Sequence, residues 1–346
     1  MRLYLDSDIC GAKGMIHYMK KLSVLGLFFV LVSVPAFAQG WLGSLGINCG
    51  DELSFSAGYV DHRNGAVVGF GDEEDSLRSG RHEYFGSHIS FPVRGVKLSL
   101  SGQKVVSPNT ALVLSLSYLI PSLVDAVDTY DWQTAAQGYH TQARGWTADL
   151  QWWDVDGMGV FRPYEALSIL GGFRYDSFQT VFHDSTSMVN AAGGPRGYPT
   201  DESDLTITCY VPYAGVQVNM GSPYGNFTVR AIGTPWLPGE VIYKNTVNSG
   251  RPSGAVRFNR YSTSGSFSSA YFVELFAEYG LDIAGYRTAL FGEYSLTHAV
   301  AHMEKDRVQQ PAGGSVVYDS DQFAFSFNRN VWVVGGKISI QLAGLL

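Results

Sequence analysis

The sequence predicts an all-β protein, a transmembrane antiparallel up-and-down β-barrel of about ten strands. Three observations lead to this fold class: apolar and polar residues alternate with period two after residue 38, short connections alternate with long ones, and a secretory signal precedes them. A strand with lipid on one side and a polar lumen on the other must alternate in this way. The barrel must close because lipid cannot satisfy the hydrogen bonds of an open sheet edge.

Residues 1–38 have the features of a secretory signal peptide. Lys20 and Lys21 precede the apolar run 22–34, and the Ala-Phe-Ala sequence at 36–38 provides a small-residue cleavage site. The alternative is a membrane anchor, but the run is short for a spanning helix and no basic stop follows it. The residues before Met19 suggest that the start codon was assigned too early. The predicted domains are a signal peptide at 1–38 and a barrel at 39–346.

The mature chain is acidic and carries no cofactor signature. Residues 39–346 contain 20 basic and 29 acidic residues, a formal charge of −9, which disfavours a nucleic-acid partner. Cys49 and Cys209 remain after cleavage, and both a disulfide and two separate thiols are open interpretations. No metal-ligand spacing and no nucleotide-binding motif is present, so the sequence predicts neither a metal nor an organic cofactor.

Ten alternating segments form the predicted barrel. In 271–279, for example, Tyr271, Val273 and Leu275 share one face, and Phe272 and Glu274 share the other. An even number of strands is expected of a closed bacterial barrel. The ten segments are roughly 52–60, 87–104, 110–120, 142–154, 164–182, 204–220, 226–243, 266–281, 286–301 and 323–342.

The connections predict the cellular location and the orientation. Outer-membrane barrels have short periplasmic turns and long outer loops, so we expect the bacterial outer membrane, with extracellular loops and periplasmic termini. A soluble β-sandwich would alternate too, but it would not show this regular asymmetry. The predicted turns are 107–109, 154–163, 221–225 and 282–285, and the predicted long loops are 61–86, 121–141, 183–203, 244–265 and 302–322.

Charged residues fall on the predicted lumen face of the strands. A water-filled pore is one interpretation, and a network of paired charges that fills a narrow barrel is the other. The network is favoured because ten strands enclose a lumen close to the size that side chains can fill. The residues are Lys97, Asp149, Arg174, Asp176, Arg230, Glu274, Glu278, Glu293 and Lys337.

The stretch 126–140, in the second predicted loop, contains the candidate catalytic residues. Asp128 and Asp131 lie beside Trp132, and His140 follows. Two carboxylates at the barrel mouth could polarise a water for attack on a carbonyl if a histidine faced them. A solvated acidic loop is the alternative.

Several motifs resemble one family, the omptins, which are outer-membrane endoproteases. The motifs are Val-Asp-Thr-Tyr-Asp-Trp at 127–132, Gly145-Trp146, Leu-Gly-Gly-Phe-Arg-Tyr at 170–175 and Val-Pro-Tyr-Ala-Gly-Val at 211–216, and their order corresponds over nearly the whole mature chain. The resemblance implies an active site at the barrel mouth, where an aspartate pair faces a His-Asp pair. It also implies cleavage next to basic residues and dependence on bound lipopolysaccharide.

The sequence departs from the omptin pattern in two places. The family spaces its aspartates D-x-D, whereas Asp128 and Asp131 are spaced D-x-x-D, and the fourth-loop region 237–266 contains no His and no Asp. A histidine partner would have to come from elsewhere, and the candidates are His140, His82 and His298. Arg257 and Arg260 are candidates to bind lipid phosphates, or solvated loop charges.

Three functions therefore remain open from the sequence. The first is an omptin-like endopeptidase, with membrane lipid, lipopolysaccharide and a basic peptide or protein as partners. The second is a barrel of the same fold whose catalytic half has been lost, and which acts as a surface, structural or adhesion protein. The third is a small pore.

Overall fold

Thirteen β-strands account for nearly all residues of the structure, a computed structural model that describes residues 51–72, 84–121, 123–134, 138–187, 196–198, 202–250, 256–283, 286–310 and 317–342. None of these residues belongs to a helix long and apolar enough to cross a membrane. The strands are β1 (Glu52–Asp72), β2 (Tyr84–Ser107), β3 (Thr110–Pro121), β4 (Val124–Thr134), β5 (Gly138–Tyr164), β6 (Leu167–Ser187), β7 (Arg196–Tyr198), β8 (Glu202–Ser222), β9 (Gly225–Thr234), β10 (Gly239–Gly250), β11 (Val256–Ile283), β12 (Tyr286–Gln310) and β13 (Val317–Gln341).

The strands close into a ring of ten antiparallel barrel strands, which confirms the predicted fold class. The order is β1-β2-β3-β5-β6-β8-β9-β11-β12-β13 and back to β1, and β6 pairs with β8 from Leu167↔Val218 to Phe182↔Ser203. β4 continues β3 between β2 and β5, and β10 continues β9 between β8 and β11. Residues 52–340 form one compact unit.

The barrel has two distinct ends, which we name after their connections. At the turn end, two residues separate β2 from β3, β5 from β6, and β8 from β9. At the loop end, long hairpins extend the strands. The β8–β9 connection is stabilised by Ser222, whose hydroxyl donates to the Gly225 carbonyl and accepts from the Tyr224 amide.

The strands are longer than the sequence predicted. Much of the predicted loops 61–86, 121–141, 244–265 and 302–322 is strand, and the stretch 126–140 lies in the β4–β5 hairpin. The predicted turn at 154–163 was wrong, because β5 runs through it to Tyr164. Asp154 and Gly157 resemble turn residues in sequence, but Asp154 points into the lumen, where a polar side chain belongs.

The interior of the barrel changes from polar near the turn end to apolar near the loop end. Near the turn end, β5 points Asp154 and Asp156 inward and Trp153 outward; towards the loop end, it buries Trp146 and Leu150 inside. The prediction that Asp149 faces the lumen was therefore wrong, since this residue lies on the outward face beside Thr147 and Gln151. In the loop-end half, polar residues face outward and apolar residues fill the interior, as in a soluble barrel.

Gly95 lies in β2 opposite the break between β3 and β4. It has φ +154° and pairs with Pro121, and a Cβ at this position would lie 2.3 Å from the Ile120 carbonyl oxygen. We expect Gly95→Ala to destabilise the barrel by about 1–3 kcal/mol, because the backbone is strained for any other residue and has no room to shift.

The measurement is the free energy of unfolding of the refolded barrel in urea. Gly102→Ala, on the same strand, is the matched control, because a Cβ there meets nothing within 4 Å. We expect the control to change the free energy by less than about 0.5 kcal/mol. Equal losses in the two variants would contradict the role assigned to Gly95.

Candidate functional site

The turn-end half of the lumen holds a buried network of ion pairs centred on Arg174. One terminal nitrogen of Arg174 donates to Glu274 at 2.7 Å, and the other donates to Asp156 at 2.9 Å. Arg230 donates to the second oxygen of Glu274 at 2.7 Å, and the Tyr213 hydroxyl donates to Asp156 at 2.6 Å. Glu274 thus bridges two arginines, and removing it would leave two buried cations facing each other.

Two further groups of charges extend this network around the wall. Lys97 lies 3.1 Å from Glu293 and 3.5 Å from Asp154, and its ammonium group stands 4.7 Å from the Trp152 ring centroid. Nearer the turn end, Glu278 accepts from Lys337 at 3.0 Å. These contacts neutralise side chains that would otherwise be costly to bury.

Arg329 and Asp176 form the innermost ion pair. The guanidinium donates two hydrogen bonds to the carboxylate, at 2.9 and 2.6 Å, and a third to the Thr297 hydroxyl at 3.2 Å. The Trp152 and Phe178 ring centroids lie 4.4 and 5.4 Å from the guanidinium carbon. Both side chains of the pair are 2% exposed, so this pair is sealed from water.

An apolar plug lies directly above this pair, towards the loop end. Phe178 packs against Phe91 at 6.1 Å and Phe327 at 5.5 Å between ring centroids, and Phe182 packs edge-on against Phe91 at 5.4 Å. Among the described residues, these rings fill the interior at this level. We define the plug by its buried inward side chains Ile89, Phe91, Trp146, Leu150, Phe178, Phe182, Leu205, Ile207, Phe325 and Phe327.

The described ion pairs of the lumen contain equal numbers of basic and acidic side chains. Six basic and six acidic side chains take part in its ion pairs, and each has an opposite partner within 4.0 Å. This arrangement fits the predicted paired network and gives no selectivity for one sign of ion. The side chains are Lys97, Arg174, Arg230, Arg287, Arg329 and Lys337 with Asp154, Asp156, Asp176, Glu274, Glu278 and Glu293.

The two candidate aspartates lie on β4 at the loop end, in a continuous register. Asp128 pairs with Ile89 of β2 and Arg144 of β5; Asp131 pairs with Gly86 and Thr141. Residues three apart in a regular strand fall on opposite faces, so the D-x-x-D spacing separates positions that D-x-D would bring together. The side chains themselves lie outside the described part of the structure, and their catalytic role stays a prediction.

The three candidate histidines have different outcomes. His298 lies on the outward face of β12, where its Nδ1 is 2.6 Å from the Asn328 amide oxygen and its ring packs against Tyr271 at 5.2 Å. This position is outside the wall, so His298 is not retained as a partner for the aspartates. His140 lies on β5 in register with Trp132, without a described side chain, and His82 lies outside the described residues.

The other candidate residues lie on the β10–β11 hairpin or in the lumen. Arg257 pairs with Ser249 and Arg260 with Thr246 at the loop end, and their lipid-binding role stays a prediction. Cys209 is a buried free thiol, and the described residues hold no cluster of His, Cys, Asp and Glu that could bind a metal.

Sequence reasoning missed some members of the ionic network, although part of the signal was present. Asp154 and Asp156 were assigned to a turn, yet they alternate with Trp153 and Val155 as strand residues do. Arg329 belongs to a segment that was predicted as a strand. Its ion-pair partner Asp176 is 153 residues away in the sequence, so no local pattern indicates that the two residues meet.

The fold has counterparts among solved structures. No protein-family model matches the chain, and no curated protein matches it in sequence. The outer membrane protease OmpT from Escherichia coli matches over 84% of this chain and 96% of its own, with a TM-score of 0.60 and 9% identity. The translocator domain of the autotransporter NalP from Neisseria meningitidis covers 89% and 98%, with a TM-score of 0.30 and 10% identity. The chain therefore has the omptin fold predicted from its motifs, that of an outer-membrane β-barrel.

Proposed function

We propose that this outer-membrane barrel does not conduct solutes and acts at its loop end as a surface-interaction protein that has lost omptin peptidase activity. The proposal that the barrel does not conduct solutes rests on its interior, where the apolar plug lies above a network of paired charges. Because the lumen is filled, other molecules in solution can bind only at the two ends of the barrel. In this proposal, the loop end is extracellular and the termini are periplasmic.

The composition of the β10–β11 hairpin supports the loss of catalysis. The omptin His-Asp pair belongs in this hairpin, yet residues 237–266 contain no His and no Asp. Without an imidazole, a water beside a carboxylate has no general base of suitable pKa. The outward position of His298 removes one substitute.

An endopeptidase is the second candidate, and a specific observation favours it. Asp128 and Asp131 lie at the loop end on β4, and His140 lies on the neighbouring strand β5 in register with Trp132. Trp132 is four positions from Asp128, so strand alternation favours Asp128 as the partner of this histidine. This protein would cleave peptides next to basic residues, with lipopolysaccharide as a required lipid. His140 would replace the missing imidazole.

Peptide cleavage by the refolded barrel separates the two candidates. The substrate is a fluorogenic peptide with two adjacent basic residues, assayed with and without lipopolysaccharide. We expect no turnover above that of an Asp131→Asn control, because the general base is missing. Turnover that Asp131→Asn and His140→Ala each reduce by about 100-fold or more would overturn the proposal and establish the peptidase.

Ion conductance tests the closed lumen. In a planar bilayer, we expect the wild-type barrel to insert without producing discrete current steps, because the plug blocks the path. A porin reconstituted in the same bilayer is the positive control. Stable wild-type current steps would contradict a sealed interior and revive the pore interpretation.

A further inference from the structure

A cavity of about 140 Å³ lies inside the barrel between the ionic network and a wall of serine hydroxyls. Its volume is close to the roughly 150 Å³ of an engineered protein cavity that binds benzene, so it suits a molecule of about that size. Its lining combines charged and hydroxyl side chains, among them Asp154, Arg230 and Ser99, with the apolar side chains of Val113, Phe276 and Phe291.

Among the described residues around the cavity, exposure increases towards the turn end. Side-chain exposure falls from 36% at Arg287 and 25% at Lys337, near the turns, to 7% at Arg174 and 2% at Arg329. The Arg329–Asp176 pair and the apolar plug close the other side. A solute could therefore enter from the turn end but could not pass through.

The apolar part of the lining is unexpected for a hydrated lumen. Phe276 and Phe291 stack with ring centroids 5.9 Å apart, and both line the cavity with Val113. Water alone gains nothing from such a surface, whereas a mixture of apolar walls and a few polar groups is typical of a small-molecule site. The walls fit a ligand that carries a small apolar group.

Two polar groups of the cavity have unused hydrogen-bonding capacity. The Arg230 side chain is 19% exposed, and its described hydrogen bond to Glu274 uses only one of its two terminal nitrogens. Asp154 is 4% exposed, and its described contact is Lys97 at 3.5 Å, which is longer than a good charge-assisted hydrogen bond. Arg230 can therefore donate to a carboxylate, and Asp154 can accept from an ammonium group.

We propose that this cavity binds a small zwitterion with an apolar side group, such as an aliphatic amino acid. A zwitterion keeps the six-to-six charge balance of the lumen, whereas a simple anion or cation would leave one buried charge uncompensated. The site is independent of any activity at the loop end, because the plug separates the two. The cavity thus gives the turn end a binding function of its own.

Isothermal titration of the full refolded barrel in detergent micelles tests this site, with L-valine as the probe. We expect saturable binding with a dissociation constant on the order of 1 mM. Isovalerate, which lacks the ammonium group, and isobutylamine, which lacks the carboxylate, should each bind at least about tenfold more weakly, because each loses one charge-assisted contact. Equal binding of all three compounds, or no saturable binding of L-valine, would overturn the proposal.

Two variants and a matched control locate the binding. Val113→Phe fills the cavity and should abolish binding, and Asp154→Asn should weaken it by about tenfold. Leu112→Phe is the control, because this neighbour on β3 faces outward and is 54% exposed. Valine binding that survives Val113→Phe in a folded barrel would place the ligand elsewhere, and this test stays informative if Asp154→Asn does not fold.

Discussion

Replacing Arg329 by methionine should destabilise the barrel by about 3–5 kcal/mol, because the change leaves the Asp176 carboxylate buried without a counter-charge. Asp176 is 2% exposed, and Arg329 supplies both of its described hydrogen bonds. The guanidinium also packs between the Trp152 and Phe178 rings, so its loss removes contacts beneath the plug. The measurement is the free energy of unfolding in urea, after refolding into lipid vesicles.

Two further variants isolate the physical cause. The double variant Arg329→Met with Asp176→Leu removes both charges, and we expect it to regain most of the lost stability, since a buried ion pair and an apolar pair of similar volume are often equivalent. The exposed pair Arg94–Asp61, with side chains 44% and 41% exposed, is the matched control. Arg94→Met should cost less than about 1 kcal/mol.

A loss in Arg329→Met no larger than that in Arg94→Met would contradict the sealed environment. A double variant that is less stable than Arg329→Met alone would point instead to a packing role for the guanidinium. Together, the two results show whether Arg329→Met loses stability because a charge is left buried or because packing contacts are lost.

Truncating Phe178 to alanine should have a comparable effect, about 3–5 kcal/mol, because it opens a cavity in the centre of the plug. Phe178 is fully buried and contacts Phe91, Phe327 and the Arg329 guanidinium. Its loss removes apolar burial and uncovers the ion pair beneath. We expect a lower free energy of unfolding, together with the first brief current steps in a planar bilayer.

The neighbouring residue on β6 provides the control for this substitution. Gln179 points outward in the loop-end half, where water surrounds the wall, so Gln179→Ala should stay within about 0.5 kcal/mol of the wild type and remain silent in the bilayer. A Phe178→Ala barrel as stable as Gln179→Ala would show that the plug rearranges to fill the space.

The polar and apolar residues are distributed differently over the two halves of the barrel, as two different surroundings require. Around the turn-end half, lipid contacts residues such as Leu114 and Val334, and the interior must hold the polar groups. Around the loop-end half, the outer face carries Thr147 and Gln151, and the interior becomes apolar. The Arg329–Asp176 pair lies at the boundary between the two interiors, where it is covered by rings on one side and joined to the ionic network on the other.

The fold class, the number of barrel strands and the resemblance to omptins could all be predicted from the sequence. These properties follow from local alternation, because each strand of a barrel wall separates two different environments. The sequence also determined that residues 237–266 lack the His and Asp of the omptin site.

The inward face of each strand and the pairing of the charges follow from the three-dimensional fold and could not be predicted from the sequence. Period-two alternation is unchanged when lumen and exterior are exchanged, so the sequence misplaced Asp149, and it read the water-exposed hairpins, including 126–140, as loops. Ion pairs such as Arg329–Asp176 join residues 153 positions apart, and closure of the ring alone brings them together. The outward position of His298 was decided in the same way, because it depends on the register of β12 against β13, and alternation along one strand does not specify it.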